Sequence, residues 1–470
     1  MVLVFPEEIA LPKDVGLKEL SALDSKGFRP IHYLGSKLRL LPEIERLVDE
    51  LDPSKGRVCD LFSGSGTVSY FLSRMRPVTS VDIQEYSALI CSALLMEVDE
   101  ALGAEKRDIF NSLFNSKIGN DLSWALDPLI NYENASFVSA SKGSCENLCD
   151  LIEKGSIYAY QAGLSNSRGL EIEAPIRETV SRLKTLDYVQ KNGALITRYF
   201  GGAYFSYQQA LVFDLVLERI SSIGSQPLKN NMRAALLSAM SDTVNTIGKQ
   251  FAQPIKPRSK DGNPKLNLIK KILSDRMVDP LPIFNTWLDS YLNLPRSSFK
   301  HRVFKGDYMA YLNSVNKIDS LSVIYADPPY TRDHYSRFYH VLETVCLEDE
   351  PKVSIVKSKN QVNISRGLYR GERHQSPFSI ISEAPNAFQA LFSGAAKLNV
   401  PLLLSYSPFS TDVKSRPRVI GMDDLLKLAR QSYRNVEVVP VTGFVHSKLN
   451  SSELNFSTSE KAELFIVCRN

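Results

Sequence analysis

The sequence predicts an α/β fold that is interrupted by a long, mostly helical insertion. Short apolar runs rich in β-branched and aromatic residues alternate with helical patterns up to about residue 100, and the alternation resumes near residue 300. Helical patterns dominate between these two regions. We therefore expect a lead-in at 1–27, one α/β domain built from 28–104 and 299–470, and an inserted helical domain at 105–298.

The composition is that of an ordinary globular protein. At 470 residues the chain has room for two domains of about 150 residues or more. Its net charge of +4 permits a nucleic-acid partner without requiring one. Six cysteines in so long a chain do not form a disulfide framework, and Cys145 and Cys149 lack the partners that a zinc site needs. Because no leader and no run of about 18 apolar residues occurs, we expect a soluble cytoplasmic protein without a membrane segment.

The clearest chemistry lies in Asp327-Pro328-Pro329-Tyr330, which follows the apolar run 323–326. The run predicts a buried strand, and the chain leaves the sheet at the motif because a proline donates no backbone hydrogen bond. Open α/β sheets bind ligands at the carboxyl ends of their strands, where Asp327 and Tyr330 are placed. A carboxylate, two exposed carbonyls and an aromatic ring can hold a planar base that carries an amino group. The plainer interpretation is a strand-ending turn with an ordinary tyrosine.

A short turn with a lysine precedes the first predicted helix. The residues Ile31–Lys37 run into a helical pattern from Leu38 to about Leu51. Gly35 and Ser36 suit a tight turn and a helix entry. Lys37 falls in the first helical turn, where its charge opposes the helix dipole, which indicates a different role for that charge. An exposed loop lysine is an equally good interpretation of this stretch alone.

A strand, a glycine-rich turn and a helix follow at Arg57–Val68. Gly64 and Gly66 allow the backbone to approach a ligand closely, and the N-terminus of the helix near Thr67 offers free N–H groups. This pattern is typical of sites that hold the phosphate or the amino-acid part of a cofactor.

Two acids at consecutive strand ends narrow the choice of cofactor. The second strand, at Thr79–Ile83, carries Asp82, which can accept both hydroxyls of a ribose. A dinucleotide site would favour a third glycine at position 69, where this chain has Ser69. Asp60, just before the turn, can instead face the cationic amino end of the methionine in S-adenosylmethionine. The pattern therefore favours S-adenosylmethionine over a dinucleotide.

The insertion carries one basic segment of interest at 249–260. It contains prolines, Gln and Phe between its cations and few acids, which suits contacts to phosphates and some to bases. A solvated charged loop is the competing interpretation. The predicted phosphate contacts are Lys249, Lys256, Arg258 and Lys260.

The α/β pattern returns with a strand that ends in Gly306-Asp307-Tyr308, an acid and a ring able to face an adenine. A lead into a helix follows at 335–344, and the polar stretch 351–378 is a second candidate for contact with the substrate. Three further strands are predicted at Val400–Ser405, Val436–Phe444 and Leu464–Cys468. The last two suit an antiparallel hairpin at the edge of the sheet.

The order of these motifs resembles that of the Dam-like alpha group of N6-adenine DNA methyltransferases. The resemblance covers roughly residues 28–100 and 300–470, and Tyr33 replaces the Phe that this family carries. It implies a Rossmann-like methyltransferase sheet of seven strands with a terminal antiparallel hairpin. It also implies that the insertion at 105–298 is the target recognition domain, although it is larger than in compact members of the family.

Carried over residue by residue, the resemblance implies a set of site residues. The expected cofactor-binding residues are Tyr33, Gly35, Lys37, Asp60, Phe62, Gly64, Gly66, Asp82, Ile83, Asp307 and Tyr308. The expected catalytic residues are Asp327, Pro328, Pro329 and Tyr330. The expected contacts to nucleic acid are Lys249, Lys256, Arg258, Lys260, Arg332, His334, Arg337 and Arg370.

The implied reaction is methyl transfer from S-adenosylmethionine to an adenine that has left the duplex. The implied partners are double-stranded DNA and a restriction endonuclease, with no metal and no membrane. Methylation of adenine in RNA, methylation of cytosine N4, methylation of a protein glutamine, and a binding module without catalysis remain alternatives. Cytosine-C5 chemistry is excluded, because that reaction needs a Pro-Cys pair and the chain has none.

Overall fold

The computed structural model describes residues 28–98, 110, 113–188, 193–315, 321–332, 334–358, 361–407, 418–441 and 463–470. The predicted lead-in at 1–27 lies outside these residues. The chain forms two compact units. The sheet unit comprises the described parts of Ala22–Glu97, Leu294–Ser336 and His374–Asn470. The helical unit comprises the described parts of Val98–Asn293 and Arg337–Arg373.

The strands are numbered along the chain. They are β1 (Arg57–Asp60), β2 (Val78–Asp82), β3 (Arg302–Lys305), β4 (Leu321–Ala326), β5 (Ile355–Ser358), β6 (Gln361–Ile364), β7 (Leu402–Tyr406), β8 (Asn435–Pro440) and β9 (Leu464–Arg469). Seven of them form one sheet in the order β3-β2-β1-β4-β7-β9-β8, whereas β5 and β6 pair with each other in the helical unit. The pairs from β3 to β7 are parallel, and β9 is antiparallel to both β7 and β8. The predicted seven-stranded sheet with an antiparallel pair at its edge is confirmed.

The α-helices are numbered in the same way. They are α1 (Leu41–Leu51), α2 (Thr67–Ser73), α3 (Glu85–Leu95), α4 (Lys117–Ser141), α5 (Glu146–Lys154), α6 (Ile157–Gln161), α7 (Glu173–Thr185), α8 (Leu195–Phe200), α9 (Tyr207–Ser221), α10 (Gln226–Thr243), α11 (Leu266–Arg276), α12 (Pro280–Leu292), α13 (Tyr308–Ser314), α14 (Tyr335–Phe338), α15 (His340–Leu347), α16 (Ala384–Lys397) and α17 (Met422–Arg430). None of the helices in the described ranges is both long and apolar enough to cross a membrane.

Both faces of the sheet are buried along β1, β2, β4, β7 and β9, whereas the edge strands β3 and β8 are more exposed. Successive residues of a strand point to opposite faces, so neighbours in sequence enter different cores. Val323 packs in a core with helices α1 and α2, whereas Ile324 packs in a second core with α13, α16 and α17. This arrangement explains why the central strands are almost continuously apolar. It also leaves the carboxyl ends of the parallel strands as the place where polar groups gather.

The helical unit includes Arg337–Arg373, which the sequence analysis had assigned to the α/β domain. The reason lies in side-chain pairing that no local pattern reveals. The acids Glu348 and Glu350 follow helix α15, and they form ion pairs with Arg233 of α10 and Arg198 of α8. These contacts hold the segment within the helical unit.

Candidate active site

Four acids lie where the parallel strands end. Asp60 closes β1, Asp82 closes β2, Asp307 follows β3 and Asp327 follows β4. Because these strands are neighbours in the sheet and run in the same direction, their carboxyl ends share one edge. The sequence analysis predicted an acid at each of these strand ends.

One pocket of the sheet unit opens at this edge. It encloses about 970 Å³ together with its open mouth. The predicted residues that line it are Tyr33, Lys37, Phe62, Asp82, Ile83, Asp307, Tyr308, Asp327, Pro328, Pro329, Tyr330 and His334. The predicted residues Gly35, Asp60, Gly64, Gly66 and Arg332 belong to the same unit but are not part of the lining.

Lys37 ties the catalytic motif to the end of β9. Its Nζ lies 3.2 Å from Asp327 Oδ1, 3.5 Å from Glu463 Oε1 and 3.5 Å from the hydroxyl of Tyr330. That hydroxyl donates a hydrogen bond to Glu463 Oε1 at 3.1 Å. The arrangement joins one ammonium, two carboxylates and a phenol in a single network. The role suggested for the charge of Lys37 by its place in the sequence therefore has a structural counterpart.

The network sets the charge state of its members. Burial raises the pKa of Asp327 to about 6, with Lys37 opposing the rise and Glu463 adding to it. Burial disfavours the charge on Lys37, but Asp327 and Glu463 outweigh burial, so the pKa of Lys37 is raised. The lysine therefore stays charged, and Asp327 is mostly ionised at neutral pH. A group with a shifted pKa at the wall of a pocket is a candidate for chemistry.

The glycine-rich turn is shaped by its neighbours. Gly64 has φ +53°, and a Cβ on it would stand 2.6 Å from the ring of Tyr33, so a side chain here would strain the backbone and displace that ring. Its N–H donates to Asp82 Oδ2 at 2.9 Å. The turn, the ring of Tyr33 and the second strand end thus fit one another, although they come from three separate stretches of sequence.

Asp60 occupies a different position from the other acids. Its carboxylate is buried and accepts a hydrogen bond from the hydroxyl of Ser69 at 2.7 Å. Burial raises the pKa of Asp60 to about 7, and the charges of Asp327 and Asp82 add to the rise. Ser69 stands where a dinucleotide fingerprint would carry glycine, and here it serves as the partner of this acid.

Part of the pocket wall is formed by residues that lie outside the motifs recognised in the sequence. His374, Gln375 and Phe378 line it, and all three lie in the polar stretch 351–378, for which no individual site residue was predicted. The ring of Phe378 lies 5.2 Å from that of Tyr308 and 5.4 Å from that of Phe62. These three rings form an aromatic wall. Phe378 and Glu463 were missed because neither belongs to a recognisable local pattern.

The predicted contacts to nucleic acid differ in their surroundings. Within the helical unit three are bound to acids: Lys249 to Asp275, Arg258 to Glu146, Asp150 and Glu153, and Arg370 to Asp349. Lys256, Lys260, Arg332 and Arg337 are exposed. A cation that is already compensated makes a poor contact for phosphate, so only the exposed group remains well suited to that role. No cluster of three or more His, Cys, Asp or Glu suited to a metal ion occurs in the part of the chain that the structure describes.

The sheet order, its antiparallel edge and the pocket at the carboxyl ends of the strands define the Rossmann-like methyltransferase fold. Residues 33–119 match the family model described as D12 class N6 adenine-specific DNA methyltransferase. The match confirms the resemblance that the motifs predicted.

Two curated relatives extend the similarity over most of the chain. The type II methyltransferase M.FokI of Planomicrobium okeanokoites is 22% identical over 421 residues, which are 86% of this chain and 49% of that protein. The modification methylase LlaI of Lactococcus lactis subsp. lactis is 22% identical over 401 residues, covering 85% and 49%. The chain thus spans about half the length of these relatives.

Proposed function

We propose that this chain is a site-specific DNA methyltransferase that transfers a methyl group from S-adenosylmethionine to the N6 of adenine. One observation carries the proposal: Asp327, Pro328 and Tyr330 line the same pocket as Asp82 and Tyr308. Groups that can accept hydrogen bonds from an amino group thus lie beside groups that suit a nucleoside. The names of the relatives, a type II methyltransferase and a modification methylase, support a place in a restriction-modification system, with a separate endonuclease as partner.

The residues present fit S-adenosylmethionine. The pocket combines an aromatic wall with the carboxylates of Asp82 and Asp307, which suit an adenine and a ribose. The turn at Gly64 packs closely against the ring of Tyr33, which lines the pocket. When bound, S-adenosylmethionine supplies the methyl group. Tyr33 and Lys37 line the same pocket and would help to enclose it.

The residues of the catalytic motif act on the target base. The exocyclic nitrogen of adenine shares its lone pair with the ring and is a poor nucleophile. The carboxylate of Asp327 and the carbonyl of Pro328 accept its two N–H groups, which localises the lone pair on nitrogen. Tyr330 stacks on the base, which must leave the duplex to reach this pocket. Holding both reactants in line supplies much of the acceleration.

The helical unit offers a surface for the DNA in the ribbon formed by β5 and β6. Ile355 and Val356 are 55% and 53% exposed, although neighbouring residues of a strand point to opposite faces. Neither face of the ribbon is therefore covered at this position. Lys357 is exposed and stands opposite Val362, which is 48% exposed.

The charge around this ribbon suits DNA. Between residues 351 and 375 the sequence has six Lys or Arg and one acid, Glu372, and of these cations Arg370 is compensated by Asp349. A two-stranded ribbon fits the major groove, where apolar side chains contact thymine methyl groups and basic ones contact guanine or phosphate. We assign target recognition to this ribbon together with the exposed cations Lys256 and Lys260 of the same unit.

The decisive experiment measures methyl transfer from labelled S-adenosylmethionine to mixed-sequence duplex DNA, followed by digestion to nucleosides. The wild type is compared with Asp327→Ala, and with Asp423→Asn as a control that changes an exposed acid of α17. We expect N6-methyldeoxyadenosine from the wild type and the control, and a loss of at least about 100-fold in Asp327→Ala with cofactor binding retained.

Each other outcome contradicts a stated part of the proposal. Activity on RNA but not on DNA would replace the substrate. Cofactor binding without transfer to either would indicate a binding module. A wild type that does not bind S-adenosylmethionine would overturn the methyltransferase function itself.

A further inference from the structure

Tyr369 is fixed at the foot of the ribbon, which consists of Ser354 before β5 and Ser365 after β6. The N–H of Ser354 donates to the carbonyl of Tyr369 at 2.7 Å, and the N–H of Tyr369 donates to Ser365 Oγ at 3.1 Å. The hydroxyl of Tyr369 donates to the carbonyl of Ala252. A Cβ on Gly367 would clash with the ring, so glycine leaves the space that the ring occupies. The ring is therefore held both at its backbone and at its hydroxyl.

Two guanidinium groups lie over this ring. The guanidinium carbon of Arg373 is 5.3 Å from the centre of the ring, and that of Arg337 is 5.6 Å from it. Each is attracted by the negative face of the aromatic ring. Arg373 is also fixed by its Nη1, which donates to Ser354 Oγ at 3.0 Å and to the carbonyl of Arg370 at 2.8 Å. One ring at the foot of the ribbon thus collects two cations.

The acids of this segment are bound by other arginines. Burial lowers the pKa of Arg373, and the like charge of Arg337 lowers it further. Three acids follow helix α15, and each pairs with a different arginine: Glu348 with Arg233, Asp349 with Arg370, and Glu350 with Arg198. Among the residues that the structure describes, neither Arg337 nor Arg373 forms an ion pair. Two like charges held at one ring favour a bound anion, because an anion relieves their repulsion.

The place of these cations on the ribbon indicates which anion. β5 begins directly after Ser354 and ends at Ser358. At about 3.3 Å per residue, the ribbon extends about 13 Å beyond its foot. The major groove of B-DNA is about 8.5 Å deep. A ribbon whose tip reaches the base edges therefore has its foot just outside the groove, beside the phosphates at the rim.

We propose that Arg337 and Arg373, held over the ring of Tyr369, bind the phosphodiester backbone of the DNA at the rim of the groove that the ribbon enters. This inference rests on the proposed function and adds the contact that fixes the ribbon on the duplex. Arginine suits this role because its planar guanidinium donates two parallel hydrogen bonds to a phosphate. The sequence analysis predicted a nucleic-acid contact for Arg337, and the site adds Arg373 and the ring that holds both.

The test measures the affinity of the full chain for mixed-sequence duplex DNA at several salt concentrations. It compares the wild type with Arg337→Gln and Arg373→Gln. Each variant should lower the slope of log affinity against log salt concentration by about 0.9, because one phosphate contact is lost. The affinity should fall by the same factor for duplexes of unrelated sequence, and the methylated sequence should stay the same, because phosphate contacts carry no sequence information.

Arg182→Gln is the matched control. Arg182 belongs to the same helical unit, and its guanidinium lies 4.9 Å from the centre of the Trp124 ring, but it pairs with Glu178. Its replacement should leave the slope unchanged, because its charge is already compensated. Arg373→Lys keeps the charge and should restore the slope that Arg373→Gln loses. Arg337 is exposed, so Arg337→Gln tests the site even if Arg373→Gln fails to fold.

The possible failures are distinguishable. Slopes equal to that of the wild type in both glutamine variants would overturn the inference, while methylation of DNA by the same proteins would leave the proposed function intact. A loss of affinity confined to one DNA sequence would assign the arginines to base contacts and would also overturn it. A wild type that binds duplex DNA with the expected slopes but methylates neither DNA nor RNA would overturn the proposed function alone. A wild type that binds RNA but no duplex DNA would overturn both.

Discussion

Each unit of this protein buries a cation against carboxylates. The two clusters differ in whether a pocket reaches them. In the helical unit Arg276 is fully buried and faces Glu133, which is equally buried. In the sheet unit Lys37 is 5% exposed and faces Asp327, whose side chain is 20% exposed at the pocket. We call the Arg276 cluster closed, because it is buried on all sides, and the Lys37 cluster open, because it borders the pocket.

The N–H donors of the Arg276 guanidinium all make hydrogen bonds within the helical unit. Its guanidinium donates to the carbonyls of Gly202 and Ala203 at 2.9 and 2.8 Å, to Asn245 Oδ1 at 3.1 Å and to Phe205 O at 3.3 Å. One carboxylate balances its charge. Nothing in this arrangement is left to bind a ligand, so its role is to hold the chain at 202–205 in place.

The network of Lys37 borders a pocket instead. Two carboxylates share one ammonium, and one of them faces a pocket. Burial of an ion pair alone is weak evidence for stability or for function. The difference between the clusters shows which further feature matters: a buried charge cluster is a functional candidate when a pocket reaches it.

The largest effect is expected from breaking the closed cluster. Arg276→Met leaves Glu133 buried without its cation and removes the donors to the carbonyls at 202–205, so the free energy of unfolding should fall by about 3–5 kcal/mol. Chemical denaturation measures the change. Arg46→Met is the matched control, since Arg46 is 46% exposed and its pairs with Glu43 and Glu50 should contribute about 1 kcal/mol or less. Equal losses in the two variants would contradict the structural role of Arg276.

Breaking the open cluster should change activity and its pH dependence. Burial raises the pKa of Asp327 to about 6 and Lys37 opposes the rise, so Lys37→Met should raise that pKa further. Because the reaction needs the ionised carboxylate, the acidic limb of the rate profile should then move to higher pH by about one unit or more. Single-turnover rates across pH measure it, and a shift to lower pH would contradict the assigned network.

The strand-end acids could be predicted from sequence because their signal is local. An apolar run that stops at Asp82 or Asp327 places the acid at a strand end, and a parallel sheet then brings the strand ends together. Glu463 follows no such rule. It reaches Lys37 and Tyr330 because β9 lies between β7 and β8, which is a property of the whole sheet. Phe378 was missed for the same reason, since its ring contacts depend on packing between distant segments.

The cations of the helical unit likewise differ in ways that the local sequence does not predict. From sequence, Arg258 and Lys260 are two basic residues of one loop, and both were predicted to contact phosphate. The structure separates them, because Arg258 is bound to three acids and Lys260 is exposed. An acid that lies far along the chain cannot be recognised from the local sequence around a cation. Composition alone therefore cannot distinguish a compensated cation from an exposed one.

The smallest predicted effect is a change in the salt dependence of DNA binding, and it compares these two cations. Lys260→Ala should lower the slope of log affinity for DNA against log salt concentration by about 0.9, because one released counterion is lost. Arg258→Ala should leave the slope unchanged, since its charge is already compensated by Glu146, Asp150 and Glu153. Titration of mixed-sequence duplex DNA at several salt concentrations measures both slopes. If Arg258→Ala changed the slope as much as Lys260→Ala, its acids would have to release it on binding, and compensation within the free protein would no longer distinguish structural cations from those that contact DNA.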